Sequence, residues 1–157
     1  MISPGDDIAD IIIHNLKTNK ISIHNGDILT IAQKIISKSE NRYRKLSNIK
    51  PTKKAKTVGD KISKDPRLVQ AVLDESKKIV RYKKNVLIVE HKLGFIHANA
   101  GIDRSNIDQK NEQILLLPKD PDKSAKKIGQ TRSLLREIRA QTFYYPIYGV
   151  TTVCCVP

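Results

Sequence analysis

Aromatic side chains make up only 4% of the 157 residues, so stacking platforms for single-stranded nucleic acid are scarce. Cysteine is rarer still. Cys154 and Cys155 are adjacent at the end of the chain, with no second pair for a zinc site and no disulfide framework. No apolar run approaches the ~20 residues that cross a bilayer, and the N-terminus lacks a basic stretch followed by a hydrophobic segment. The chain therefore reads as soluble and cytoplasmic, with no membrane partner. It also lacks internal repeats and low-complexity linkers. At 157 residues it is long enough for one ordinary domain with a real core, and too short to argue for two from length alone.

Acidic residues are outnumbered. Twenty-nine Lys and Arg face 16 Asp and Glu, a formal charge of +13, which points to anionic partners: nucleic acid, nucleotide or a phosphorylated coenzyme. The basic residues are scattered as pairs, Lys53-Lys54, Lys77-Lys78, Lys83-Lys84 and Lys126-Lys127, and not gathered in one block. Solvated helix faces explain that spacing more simply than a nucleic-acid track.

What is present reads as an α+β (mixed α/β) chain, a small mixed sheet with flanking helices. Ser3-Pro4-Gly5-Asp6 has the chemistry of a helix start, Ser3 capping, Pro4 first and Asp6 near the positive dipole end. That helix is expected to run to about Leu16, burying Ile8, Ile11, Ile12 and Leu16 while Asp7, Asp10 and Lys17 stay wet. His14 falls on its surface. Asn25-Gly26-Asp27 is a turn signal, and Ile28, Leu29 and Ile31 form a short strand that meets Gln33, Lys34, Ser37 and Lys38 just past its end. Open α/β architectures place ligands there. Taken alone, though, Lys38 is more simply a solvated lysine.

Arg42 to Leu46 reads as a second strand and Pro51 to Ile62 as a basic helix weakened by Gly59. Asp65 caps a further helix through about Ser76, with Pro66 in its first turn and Leu68, Val69, Val72 and Leu73 as its apolar stripe. Asp74 and Glu75 read as surface acids, because carboxylates paired for catalysis must flank a reacting bond. Ile79 to Tyr82, Val86 to His91 and Gly94 to His97 form a three-strand meander. His91 and His97 read as ordinary sheet histidines, since a spacing of six across a turn defines no metal pair. Ile114 to Leu117 is a short apolar segment stopped by Pro118. Asp122 or Lys123 precedes a helix expected from Ser124 to about Ala140, with Leu134, Leu135 and Ile138 buried.

The meander delivers the stretch Asn99-Ala100-Gly101-Ile102-Asp103-Arg104-Ser105-Asn106. Gly101 lets backbone approach a ligand, and Asp103, Ser105 and Asn106 offer short oxygen donors. A single carboxylate with amide and hydroxyl neighbours is what a magnesium–nucleotide site uses, because substrate phosphates supply the remaining ligands. On spacing alone such a Gly/Asn/Asp/Ser cluster reads first as a turn.

That stretch, followed by Leu115-Leu116-Leu117-Pro118-Lys119-Asp120-Pro121-Asp122 and Ser124-Ala125, resembles the coenzyme F-420:gamma-glutamyl ligase family. Ser3-Pro4-Gly5-Asp6-Asp7 fits the same family, as does Asp27-Ile28-Leu29 running into Ala32-Gln33-Lys34-Ile35-Ile36-Ser37-Lys38-Ser39-Glu40. The four pieces occur in family order over about residues 1 to 128, a far more specific match than any one motif. The resemblance implies a GTP-dependent ligase that joins L-glutamate to a deazaflavin coenzyme precursor, acting as a homodimer with Mg2+ or Mn2+, and with K+ as a further candidate. Carried onto this chain, it implies Asp103 as the metal residue and Met1, Ile2, Gln33, Lys34, Lys38 and Asn106 as nucleotide contacts. Catalytic residues are not assigned.

Residues 1–140 are then the N-terminal portion of the ligase domain, and 141–157 a divergent tail. The last 17 residues hold both cysteines, three of the five tyrosines and no charge. Gln141-Thr142-Phe143 is only weakly similar to the family's Asp-Thr-Phe, and a Gln cannot supply a second anionic ligand. Only Met1 and Ile2 stand where the family has a Pro-containing segment that helps hold the nucleotide. These departures lead to the expectation of a truncated or frame-disrupted ligase. The alternatives are a basic nucleic-acid-binding protein, supported by charge alone, and a non-catalytic remnant of the ligase.

Overall fold

The computed structural model describes residues 1–24, 27–104, 112–129, 140–145 and 150–155, the last two stretches as backbone only. In chain order its elements are α1 (Ile8–Thr18), β1 (Leu29–Ala32), α2 (Gln33–Ser39), β2 (Tyr43–Lys45), α3 (Lys53–Ile62), α4 (Pro66–Asp74), β3 (Ser76–Lys83), β4 (Val86–His91), β5 (Ile96–Ala98), β6 (Gln113–Leu115), α5 (Pro121–Gly129), β7 (Ala140–Tyr145) and β8 (Val150–Cys155). The class is α+β, as the sequence indicates. In place of one mixed sheet, the described strands form three small antiparallel sheets, ordered β1-β8-β7, β2-β6 and β3-β4-β5. The chain divides into two compact units: Met1–Arg42 with Pro118–Pro157, and Tyr43–Leu117.

In the first unit, Ser3–Asp6 is a turn and not the helix start that its residue types suggest. Asp6 N–H donates to Ser3 O at 3.2 Å, and Ser3 N–H donates to the Asp6 carboxylate at 2.7 Å. Gly5 has φ +91° and gives its N–H to Ser39 O at 2.9 Å, a conformation that cannot continue into a right-handed helix. The chain must turn first and cap afterwards. Asp7 does this, its Oδ1 accepting from Ala9 N at 2.9 Å and from Asp10 N at 3.3 Å. Ile8, Ala9 and Ile13 are the buried residues of α1, and His14 is exposed as expected.

β1 runs straight into α2, and Ile31 and Ile36 pack with Ile8, Ala9, Ala125 and Ile128 in one apolar cluster. α5 begins three residues before the expected Ser124. Asp120 Oδ1 accepts from Lys123 N at 2.9 Å, and Pro121, which has no N–H to lose, takes the first position. Glu40, just past α2, accepts from Ser124 Oγ and from Lys119 N, tying the start of α5 to the end of α2. α5 ends at Gly129. Leu134, Leu135 and Ile138 lie outside the described residues, and Ala140 opens a strand. β8 pairs with β1, Leu29 opposite Val153 and Ala32 opposite Val150, so part of the divergent tail completes a sheet.

The second unit follows the sequence more closely. Thr52 caps α3 through Ala55 N at 3.3 Å, and Asp65 caps α4 through Arg67 N at 2.8 Å with Pro66 in the first turn. Gly59 does more than weaken α3: a Cβ there would stand 2.8 Å from Lys64 O and 3.4 Å from Pro66, so only glycine lets α4 start this close. Ala55, Val58 and Ile62 of α3 and Val69 and Val72 of α4 bury against Leu87 and Val89 of β4 and against Ala100. Leu46, Ile49, Leu68, Ala71, Ile114 and Leu116 form a second cluster, and Ile102 packs on both.

Candidate functional site

The β4–β5 hairpin ends at Ala98, and the next three residues all have positive φ: Asn99 at 51°, Ala100 at 54° and Gly101 at 69°. For residues bearing a Cβ this conformation costs about 1–3 kcal/mol each, so it persists only where the surroundings over-determine it. Three features do so. Ala100 is fully buried in the core. Lys64 Nζ donates to Asn99 Oδ1 at 2.7 Å. Gly101 lies so close to Leu117 that a Cβ would stand 2.9 Å from its methyl carbons.

Asp103 follows directly and is fixed at the backbone on both sides. Its N–H donates to Leu115 O and its C=O accepts from Leu115 N, each at 3.0 Å. The side chain is half-buried. One carboxylate on a rigid turn suits a hard cation whose other ligands are phosphate oxygens and water. Among the described residues no group of three or more His, Cys, Asp or Glu side chains gathers as a metal set.

Cations and carboxylates are interspersed along this stretch. Burial, and then the nearby charge of Arg104, pull the Lys64 ammonium below the usual lysine range. Arg67 bridges Asp65, Nη2 to Oδ2 at 2.7 Å, and Glu112, Nη1 to Oε2 at 2.8 Å. Its side-chain hydrogen bond is the main reason the Asp65 carboxyl stays below the usual carboxylate range.

The other implied contacts belong to the first unit. Gln33, Lys34 and Lys38 all lie on α2. Gln33 is buried, its amide 3.4 Å from Ser37 Oγ, while Lys34 and Lys38 are half-buried and share a face at a spacing of four. Ile2 packs against the first unit's core, and Met1 is fully exposed. Asn106 lies outside the described residues. A cleft of about 240 Å³ in this unit is lined by Gly5, Asp7, Ser39, Glu40, Ser124 and Lys127 among others, none of them an implied nucleotide contact.

The remaining candidates keep their structural readings. His91 is buried, stacks on Phe95 with ring centres 4.9 Å apart, and accepts from Leu93 N at Nδ1. Asp74 is less exposed than expected, half-buried and paired with Arg44 at 2.7 Å. Lys64 was not singled out from the sequence because its partner Asn99 lies 35 residues away. The one local signal is its place directly before the Asp65-Pro66 cap.

The family model described as F420-0:Gamma-glutamyl ligase matches residues 1–140. The chain belongs to this family. Its relatives include the Coenzyme F420:L-glutamate ligase of Methanothermobacter thermautotrophicus, 42% identical over 131 residues that make up 83% of this chain and 51% of that protein. The protein of the same name from Methanopyrus kandleri is 37% identical over 137 residues, 87% of this chain and 50% of the relative. That of Methanocaldococcus jannaschii is 47% identical over 106 residues, 68% of this chain and 41% of the relative. The chain spans about half the length of the curated relatives it matches. Within the F420-0:gamma-glutamyl ligase family, then, this chain carries the Asp103 turn and α2, together with β7 and β8, which lie largely beyond the family match. Among the described residues no helix is long and apolar enough to cross a membrane.

Proposed function

We propose that this chain supplies the nucleotide- and metal-binding portion of a GTP-dependent coenzyme F420-0:L-glutamate ligase. The observation that supports the reading is the Asp103 turn, a strained loop held from several sides and carrying one carboxylate. In the proposed reaction an oxygen of the precursor's carboxylate attacks the γ-phosphorus of GTP and GDP leaves. The amine of L-glutamate then attacks the acyl carbon, phosphate leaves with the bonding pair, and the nitrogen loses a proton as the amide forms.

Asp103 would hold Mg2+ or Mn2+, with K+ as a further candidate cation. When bound, the divalent ion supplies charge neutralisation at phosphate oxygens. Lys34 and Lys38, on one face of α2, would take phosphate charge, and Gln33 and Asn106 would orient the nucleotide, with Met1 and Ile2 beside it. The burial of Gln33 and its contact with Ser37 restrict its rotamers, which supports an orienting role. The family resemblance adds self-association as a homodimer to this reading.

Calorimetric titration with GTP, with and without Mg2+ or Mn2+, tests the reading. The native chain should bind GTP only with the metal, and Asp103→Asn should abolish that binding. Equal affinity in native and variant chains refutes the assigned role. A polynucleotide that binds more tightly than GTP, with steep salt dependence, would instead favour the nucleic-acid reading.

A further inference from the structure

The left-handed run at Asn99–Gly101 and the carboxylate two residues beyond it make one mechanical unit, and the geometry shows what holds it. Asn99 tolerates positive φ better than most residues bearing a Cβ, yet it is followed by Ala100, which does not. Within the turn, the hydrogen bond from Ile102 N to Asn99 O at 3.0 Å closes the chain on itself. It does not fix the turn to the rest of the unit. That polar tether is the 2.7 Å hydrogen bond from Lys64 Nζ to Asn99 Oδ1.

Lys64 is a firm post for it. Its N–H donates to Gly59 O at 3.0 Å, and its carbonyl occupies the space that a side chain at Gly59 would need. Ser63 before it is left-handed at φ 56°, and Asp65 after it caps α4. The backbone of Lys64 is therefore locked between two helix ends, and its side chain carries that rigidity to the loop.

We infer that Lys64 is a positioning residue: through Asn99 it holds the left-handed turn in place and so fixes where the Asp103 carboxylate stands to receive a metal ion. This rests on the reading of Asp103 as the metal residue. On the far side, the paired bonds to Leu115 fix the Asp103 backbone, so the carboxylate is braced between a lysine tether and a strand bridge. With the tether gone, the turn can relax toward unstrained φ, and the carboxylate samples more positions at the same core packing. Loss of a group bonded directly to a metal ligand costs roughly 10–100-fold in metal affinity, and a tether that acts through Asn99 falls at the low end of that range.

The test uses the full chain. Lys64→Met keeps the apolar stem and removes the ammonium. We expect its dissociation constant for Mn2+–GTP, read by electron paramagnetic resonance, to rise on the order of tenfold, with cooperative unfolding retained. In the metal-free chain the amides of Ile102 and Asp103 should exchange with deuterium faster. Asn99→Asp, which keeps an acceptor for Lys64, should retain native affinity. Asn99→Leu should reproduce Lys64→Met, and the double variant should be no worse than either single one.

Native Mn2+–GTP affinity and native exchange in both Lys64→Met and Asn99→Leu would overturn the inference. Asn99→Leu also probes the same bond from the loop side, should Lys64→Met fail to fold. Absence of Mn2+–GTP binding that depends on Asp103 in the native chain would instead overturn the metal reading. The exchange rates, which need no metal, would still decide whether Lys64 holds the turn.

Discussion

Gly101 shows at the level of one residue how the loop is committed to its shape. Its φ of +69° is one that only glycine adopts without strain, and its missing Cβ makes room for the Leu117 methyls. Gly101→Ala should destabilise the chain by about 1–3 kcal/mol, measured as a fall in urea midpoint. A variant as stable as the native chain would show that Leu117 can yield. Asp65 gives a second residue-scale prediction. Its hydrogen bond with Arg67 depresses its folded-state pKa, so its contribution is present above the ordinary carboxylate range and is lost as pH falls through the lowered value. Melts at descending pH should show the native chain losing more stability than Arg67→Met over that acid limb; parallel curves would remove the pair from the account. Gly101 was legible in the sequence as a turn residue because its chemistry is local. Lys64 was not, since nothing in the order of residues shows which lysine reaches Asn99.

Secondary-structure elements were legible where hydrophobic period and cap agreed. α4 is the clearest case: Asp65, Pro66 and the stripe of Leu68, Val69 and Val72 name its start and its buried face together. The β3-β4-β5 meander followed from alternation in Val86–His91, whose residues Leu87, Val89 and His91 are buried in turn. α1 misled because two acceptable caps occur within five residues, and the choice is made by Gly5 bonding Ser39 on another element. Asp7→Ala should therefore cost about 1 kcal/mol of unfolding free energy while Asp7→Asn costs far less. A Ser3→Ala variant that loses as much as Asp7→Ala would return the start of the helix to Ser3. The start of α5 was missed for a related reason. The cap was sought at Asp122 or Lys123, whereas Pro121, a residue without an N–H, is suited to the first position after the Asp120 cap.

The whole chain joins two units with separate apolar cores, and length alone could not reveal that. One unit is continuous, Tyr43–Leu117, and contains both of the apolar clusters that Ile102 connects. Residues 43–117 expressed alone should unfold cooperatively in urea, and a broad, non-cooperative transition would show that the unit depends on the rest of the chain. The other unit is built from both ends of the chain, Ala125 and Ile128 of α5 filling a core begun by Ile8, Ile31 and Ile36. The family assignment came from motifs in order along the chain, and such motifs carry no information about this division.

During translation the discontinuous unit is at a disadvantage. Its first 42 residues leave the ribosome well before α5 does, so Ile8 and Ile36 emerge without the side chains that will cover them. The central segment, synthesised second, can mature first. Nascent chains stalled just after Leu117 has cleared the exit tunnel should then resist protease across 43–117 while the leading α1 and α2 are still cut.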